Sequence, residues 1–211
     1  LFRKILDYSL SILILVPALV VVAICAILVK LTSRGPAFYT QERVGRFGRV
    51  FTIYKLRTMH HRCELISGPQ WSKPGDPRVT SFGKFLRASH LDELPQLINV
   101  LRGEMSLLGP RPERPEIASR LVDAITHYND RLILRPGVSG HAQVHLPPDV
   151  ELADVAAKVQ LDRDYIHRLS FWFDLLTLVR TAQKVLGLNN PNKKRGTLNP
   201  QSITMTTQKR S

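Results

Sequence analysis

The sequence predicts a helix-rich α+β domain with a small β-hairpin, carried behind an N-terminal membrane helix that is kinked at a proline. Three observations predict this class. Residues 10–29 form an apolar run with no charged side chain; two short β-rich runs flank Gly45 and Gly48; and further on, apolar residues recur at helical spacing.

The apolar run, LSILILVPALVVVAICAILV, is long enough to cross a bilayer, which takes roughly 20 such residues. No small-x-small cleavage site follows it cleanly, and the strongly basic remainder speaks against a secretory signal. Pro17 stands in mid-run. It lacks an N–H and clashes with the carbonyl of Leu13, so the helix is expected to bend there. Arg3 and Lys4 precede the run, and Lys30 and Arg34 follow it. Positive flanks mark the cytoplasmic side. A straight span would strand one of them outside, whereas a re-entrant helix that dips in and returns at Pro17 keeps both inside. A tilted span with a proline kink is the simpler alternative, and the residues leave both open.

Downstream, GPAFYTQERVGRFGRVFTIYKLRTM reads as a hairpin turning at Gly45 and Gly48. SGPQWSKPGDPRV, rich in Gly and Pro, is a loop. Leu91, Leu94, Leu97, Ile98 and Leu101 keep helical spacing, and Gly103 stops the run. A further helix is expected from about residue 115 to 132. RPGVSGHAQV reads as a turn into a short extended piece, and ELADVAAKVQLDRDYIHRL is helical again. SFWFDLLTLVRTAQKVLG opens on Phe171, Trp172 and Phe173 and carries Arg180 and Lys184. It suits either a core helix or one lying in the headgroup zone with its aromatics buried. Residues 189–211 are polar, basic and poor in apolar side chains, the composition of a disordered tail.

Charge narrows the partners. With 30 Lys and Arg against 17 Asp and Glu, the net charge is +13, which favours anions: nucleic acid, anionic lipid or phosphorylated small molecules. Cys25 and Cys63 make no disulfide framework, which fits a reducing compartment. The first residue is Leu1, so a longer protein is conceivable.

Against that basic background, LDELP puts Asp92 and Glu93 side by side before Pro95. Proline is tolerated in the first helical turn, which places Asp92 at or beside an N-cap and Glu93 in the first turn. Free N–H groups there stabilise carboxylate and attract phosphate. Adjacent helical side chains diverge by about 100°, so the two acids have different tasks. An acid at such a place is usually only a cap. Here, however, cations bracket it: Lys55 and Arg57 in YKLRTM, Arg87 upstream, and Arg111 in GPRPERP between Pro110 and Pro112. An arginine fork suits a diphosphate, and two carboxylates among such cations imply Mg²⁺ between carboxylate and phosphate. His60, His61 and Cys63 are too crowded, and lack a fourth partner, for a zinc site.

These segments, in order, resemble the bacterial sugar transferases, or monotopic phosphoglycosyl transferases. The resemblance rests on the Pro-broken apolar segment, the hairpin sequence, FGKFLRASHLDELPQLINVLRGEMSLLGPRPE and RPGVSGHAQV, and it covers residues 1–188. It implies three parts: a membrane-inserted helix over 1–34, a cytosolic-face catalytic domain over 35–188, and the tail. It also implies a reaction, transfer of a sugar-1-phosphate from a UDP-sugar to polyprenyl phosphate with release of UMP, at the bacterial inner membrane. The route it implies is a covalent phospho-sugar on Asp92, with Glu93 managing metal or protons and Mg²⁺ held by the pair. Lys55, Arg57, Arg87 and Arg111 would bind phosphate, and Pro110 and Pro112 would shape the nucleotide end. Two positions depart from the family pattern. Val16 precedes Pro17 where Ser is frequent, and His141 stands where an apolar residue is frequent.

Two other classes compete. A membrane-tethered nucleic-acid binder would interleave its cations with exposed aromatics along a groove, but here the cations are dispersed and an acid pair interrupts them. A non-catalytic membrane scaffold would use Asp92 only as a cap, so that Asn would replace it with little effect.

Overall fold

The computed structural model describes residues 2–188 except 69, 74, 149, 150 and 186; the expected tail, 189–211, lies outside the described residues. Helix α1 (Phe2–Thr32) has 31 residues, about 46 Å at the usual rise. It is the one helix, among the described residues, long and apolar enough to cross a membrane. It runs through Pro17 as a single element. Asp7, Ser11, Ala18, Val22, Cys25 and Val29 are buried, and these positions recur on one face. The other faces expose Leu13, Val16, Val20, Ile27 and Leu31.

The predicted hairpin is present. Strands β1 (Phe38–Val44) and β2 (Val50–Leu56) pair antiparallel from Phe38 opposite Leu56 to Val44 opposite Val50. Gly48, at φ +77°, permits the reversal. A short helix α2 (Glu64–Ser67) and then α3 (Ser81–Ala88) follow. The apolar pattern did not announce α3, which is only eight residues long. Its start is nevertheless conventional: the Thr80 hydroxyl accepts the Gly83 N–H at 2.9 Å.

Two expectations change in detail. The helix expected around Asp92 is a 3-10 turn (Leu91–Gln96) followed by a short α4 (Leu97–Leu101). Pro95 has no N–H to give the Leu91 carbonyl, so the first turn tightens to i→i+3 bonding. Asp92 is therefore the second residue of that turn, and its cap is His90, at φ 57°. The helix expected over 115–132 ends early: α5 (Pro115–Ala124) gives way at extended Ile125, and a 3-10 turn (Tyr128–Ile133) follows left-handed His127. The break lets Ile125 and Tyr128 both reach the core beside Leu121, and Arg131 reach Asp162 at 2.7 Å.

Strand β3 (Ser106–Leu108) pairs in parallel with β4 (Gly137–Ser139). The extended piece of RPGVSGHAQV is short, this strand and Gly140, since α6 (His141–His145) is already helical. Helices α7 (Leu152–His167) and α8 (Phe171–Val185) complete the fold. One core cluster joins α5 to α7, a second joins α1 to β2 and α3, and a third sets Ile53 against Val100 and Met105. The turn that carries Asp92 and Glu93 packs on the second through Leu91 and Leu94.

Candidate active site

The 3-10 turn packs on β2, which brings Lys55 to Glu93. Glu93 Oε1 accepts from Lys55 Nζ at 2.8 Å and from the Arg111 guanidinium at 2.8 Å; its second oxygen has a 3.5 Å contact to Arg111. Burial alone would raise the Glu93 carboxyl, but the combined pull of Arg111 and Lys55 prevails and holds it well below the usual range. Asp92 differs. It is 7% exposed, and Lys55, Arg111 and Arg87 act on it as charges through space. Burial pushes its carboxyl up to about 6, the lowering by Lys55 being smaller. One carboxylate is thus fixed between two cations, and its neighbour is buried and uncommitted.

Arg111 is held by its backbone. Each carbonyl of the segment has a donor: Pro110 O accepts from Gly137 N at 2.9 Å, Arg111 O from Arg131 at 3.1 Å, Pro112 O from Arg43 at 3.0 Å, and Glu113 O from Val44 N at 2.8 Å. Pro110 and Pro112 restrict the chain on either side. Their placement braces Arg111, and a shallow crevice runs alongside, lined by Pro110, Pro112, Tyr128 and Arg131. The close approach of this segment to β4 needs glycine. A Cβ on Gly137 would stand 2.1 Å from Gly109 N, and one on Gly109 2.3 Å from Arg135 O.

Arg87 reaches the same region from α3. Its Nε donates to Thr58 Oγ1 at 2.9 Å and one terminal nitrogen to Ser72 Oγ at 2.7 Å, while Ser72 donates to Asp76 at 3.1 Å. The structure therefore brings together Asp92, Glu93, Lys55, Arg87 and Arg111. It does not bring Arg57, which was expected to bind phosphate with them. The Arg57 guanidinium is buried against the end of α1 and donates to Arg34 O at 2.7 Å, Ser33 O and Oγ at 2.8 Å, and Val29 O at 3.4 Å. Ser33 and Arg34 lie just past the end of α1, where the negative end of the helix dipole favours a cation, and Val29 O, which also accepts the Ser33 N–H at 3.1 Å, belongs to its last turn.

Sequence reasoning missed several supporting residues. Arg43 and Arg131 hold the Arg111 segment, as above. Asn99, fully buried, donates to Thr52 O at 2.7 Å and to Glu104 at 2.7 Å, tying α4 to β2. The glycines of LLGPRP and RPGVSG were a readable sign that two backbones touch.

Residues 1–188 match the bacterial sugar transferase family. The chain belongs to that family. It is 43% identical over 161 residues, 76% of its length, to an Aeromonas hydrophila UDP-N-acetylgalactosamine-undecaprenyl-phosphate N-acetylgalactosaminephosphotransferase, covering 38% of that relative. It is 42% identical to a Xanthomonas campestris pv. campestris UDP-glucose:undecaprenyl-phosphate glucose-1-phosphate transferase, over 77% of this chain and 34% of the relative. A Salmonella typhimurium undecaprenyl-phosphate galactose phosphotransferase is 39% identical over 72% of the chain and 34% of the relative. The chain thus spans little more than a third of the length of these sugar transferases. Their three different sugars accompany one shared acceptor.

Proposed function

We propose that the chain transfers a sugar-1-phosphate from a UDP-sugar to undecaprenyl phosphate, releasing UMP, on the cytosolic face of a bacterial inner membrane. The observation that carries the reading is the division between two adjacent carboxylates, Glu93 fixed by Lys55 and Arg111 while Asp92 has no hydrogen-bond donor among the described residues. An Asp92 oxygen attacks the phosphorus that bears the sugar, the bond from that phosphorus to the UMP oxygen breaks, and UMP departs. A phosphate oxygen of the lipid then attacks the same phosphorus. The bond to Asp92 breaks, and the carboxylate is regenerated. Lys55, Arg87 and Arg111 offset charge on the phosphate oxygens as they crowd the incoming carboxylate. The donor set fits Mg²⁺, which takes one or two carboxylates together with substrate phosphate and water. Asp92 and the weakly engaged Glu93 Oε2 would hold the ion, which supplies further charge neutralisation at the phosphate.

Membrane placement is read from both ends of α1. Arg3, in its first turn, donates to Leu108 O at 3.1 Å and to Tyr165 at 2.6 Å and pairs with Asp174 at 2.9 Å. At the other end, Arg57 holds the carbonyls of Ser33 and Arg34, just past the helix. A helix with both termini fixed to one polar domain is better suited to dip into one leaflet than to cross, and the apolar face around Pro17 would be the part immersed. Helix α8 supports a neighbouring contact. Its buried residues are Asp174 and Thr177, while Trp172, Leu176 and Val179 are exposed, the reverse of a core helix.

The test is mass spectrometry of the protein incubated with UDP-sugars and Mg²⁺ but no lipid, alongside UMP release when undecaprenyl phosphate is added. The expected result is a phospho-sugar adduct on Asp92 that disappears on adding the lipid. Product formation with no adduct at any time would overturn the covalent route, and failure of every donor to release UMP would overturn the activity.

A further inference from the structure

Asp7 lies in the apolar helix yet faces the protein, and it is buried. A carboxylate withdrawn from water is unfavourable unless hydrogen-bonded, and both of its donors are in β3. Its Oδ1 accepts from Ser106 Oγ at 2.9 Å and from Leu107 N at 3.0 Å. One turn earlier, Arg3 donates to Leu108 O at 3.1 Å. All three residues of the strand are thus gripped by the first two turns of α1. On its other side β3 bonds the β4 segment through Ser106 N to Pro136 O and Gly109 N to Ser139 O, both at 2.9 Å. The Leu107 N–H points to the edge that β4 leaves open, and Asp7 supplies its acceptor.

Three residues beyond β3 stands Arg111, reached through Gly109 and Pro110. That lead is short and stiff: Pro110 restricts it, and the glycine contacts with β4 leave no slack for sliding. A shift of β3 therefore moves the Arg111 guanidinium relative to Glu93, with which it pairs at 2.8 Å. Helix α1 also packs against the turn that carries Asp92. The membrane helix touches both halves of the site.

We propose that Asp7 is a positioning residue for the reaction: by holding β3 against the N-terminal arm of the membrane helix, it sets the place of Arg111 at the carboxylate pair. This rests on the reading of Arg111 as a phosphate-binding group. The role is geometric, so any side chain accepting the same two hydrogen bonds can perform it. Asparagine can, and alanine cannot.

The experiment uses the full chain in lipid nanodiscs, with Asp7→Ala, Asp7→Asn, Arg111→Lys and the double variants. Asp7→Ala is expected to lower kcat for UMP release by about ten- to a hundredfold, with a smaller change in KM, and Asp7→Asn to retain most activity. In the Arg111→Lys background, Asp7→Ala should cost little more, because the group it positions is already compromised. Hydrogen exchange of the peptide 106–112 should quicken in Asp7→Ala but not in Asp7→Asn, with the hairpin peptide 50–57 unchanged. Full multiplication of the two losses, or unchanged exchange over 106–112, would overturn the proposal. If wild-type protein releases no UMP, the proposed function fails, while the exchange comparison still decides whether Asp7 holds the strand. Should Asp7→Ala not fold, Ser106→Ala removes one of the two bonds and is expected to quicken exchange in the same peptide.

Discussion

At the level of single side chains, burial acts on Asp92 and Glu93 alike, but only Glu93 gains cations at hydrogen-bond distance, so the two neighbours titrate in opposite directions. A nucleophile must be ionised. On the proposed route, with the Asp92 carboxyl raised to about 6 in the metal-free protein, kcat/KM for the donor should fall as pH drops into the acid range, and a higher Mg²⁺ concentration should move that fall to lower pH. A carboxyl whose folded value lies above its unfolded value opposes folding when ionised. Asp92→Asn should therefore abolish the adduct and turnover while leaving Tm, measured above pH 6, unchanged or higher. Glu93 has the opposite sign. Its depressed value contributes stability above the unfolded value of 4.5, which is lost as pH falls. Glu93→Gln strands Lys55 and Arg111, so a loss on the order of 3–5 kcal/mol is expected in denaturant unfolding.

At the level of elements, two junctions rest on backbone meeting backbone or cation meeting helix end. Strands β3 and β4 are so close at Gly109 and Gly137 that a methyl group has no room. Gly137→Ala should cost about 1–3 kcal/mol and displace Arg111, so its activity loss should exceed what the fraction unfolded explains. The Arg57 contacts predict a different outcome from the one expected of a phosphate ligand. Arg57→Ala removes charge-assisted bonds worth about 1.5–3 kcal/mol each in favourable cases. It should loosen residues 29–34, seen as faster proteolysis there, while KM for the donor changes little in the protein that remains folded.

For the whole molecule, the decisive feature is that Arg3 and Arg57 tie opposite ends of one long helix to one domain. Single cysteines at Lys4→Cys and Lys30→Cys, in a chain with Cys25 and Cys63 replaced by alanine, should both react with an impermeant maleimide only from the cytosolic side. Labelling of the two ends from opposite sides would mean that the helix crosses the membrane. Under the proposed function, the same arrangement gives a reason to keep the chemistry near the anchor: the acceptor phosphate would lie at headgroup level, and the helix would fix the height of the residues that meet it.

The hairpin, the apolar helix, the helices over 152–167 and 171–185 and most of the cations around Asp92 and Glu93 were legible in the sequence, because each follows from local spacing, turn chemistry or charge; short elements such as α3, β3 and α6 were not. Tertiary structure alone decided what long-range contacts set. It assigned Arg57 to a helix end and left Lys55 with Glu93, although the two cations are only two positions apart. It made Glu93 the anchored acid and Asp92 the free one. It also turned Asp7, which in sequence is the one acid beside an apolar run, into a grip on β3. The physical reason is common to all of these: a hydrogen bond depends on where two atoms meet in space, and residues 7 and 107, or 93 and 111, meet only when the chain has folded.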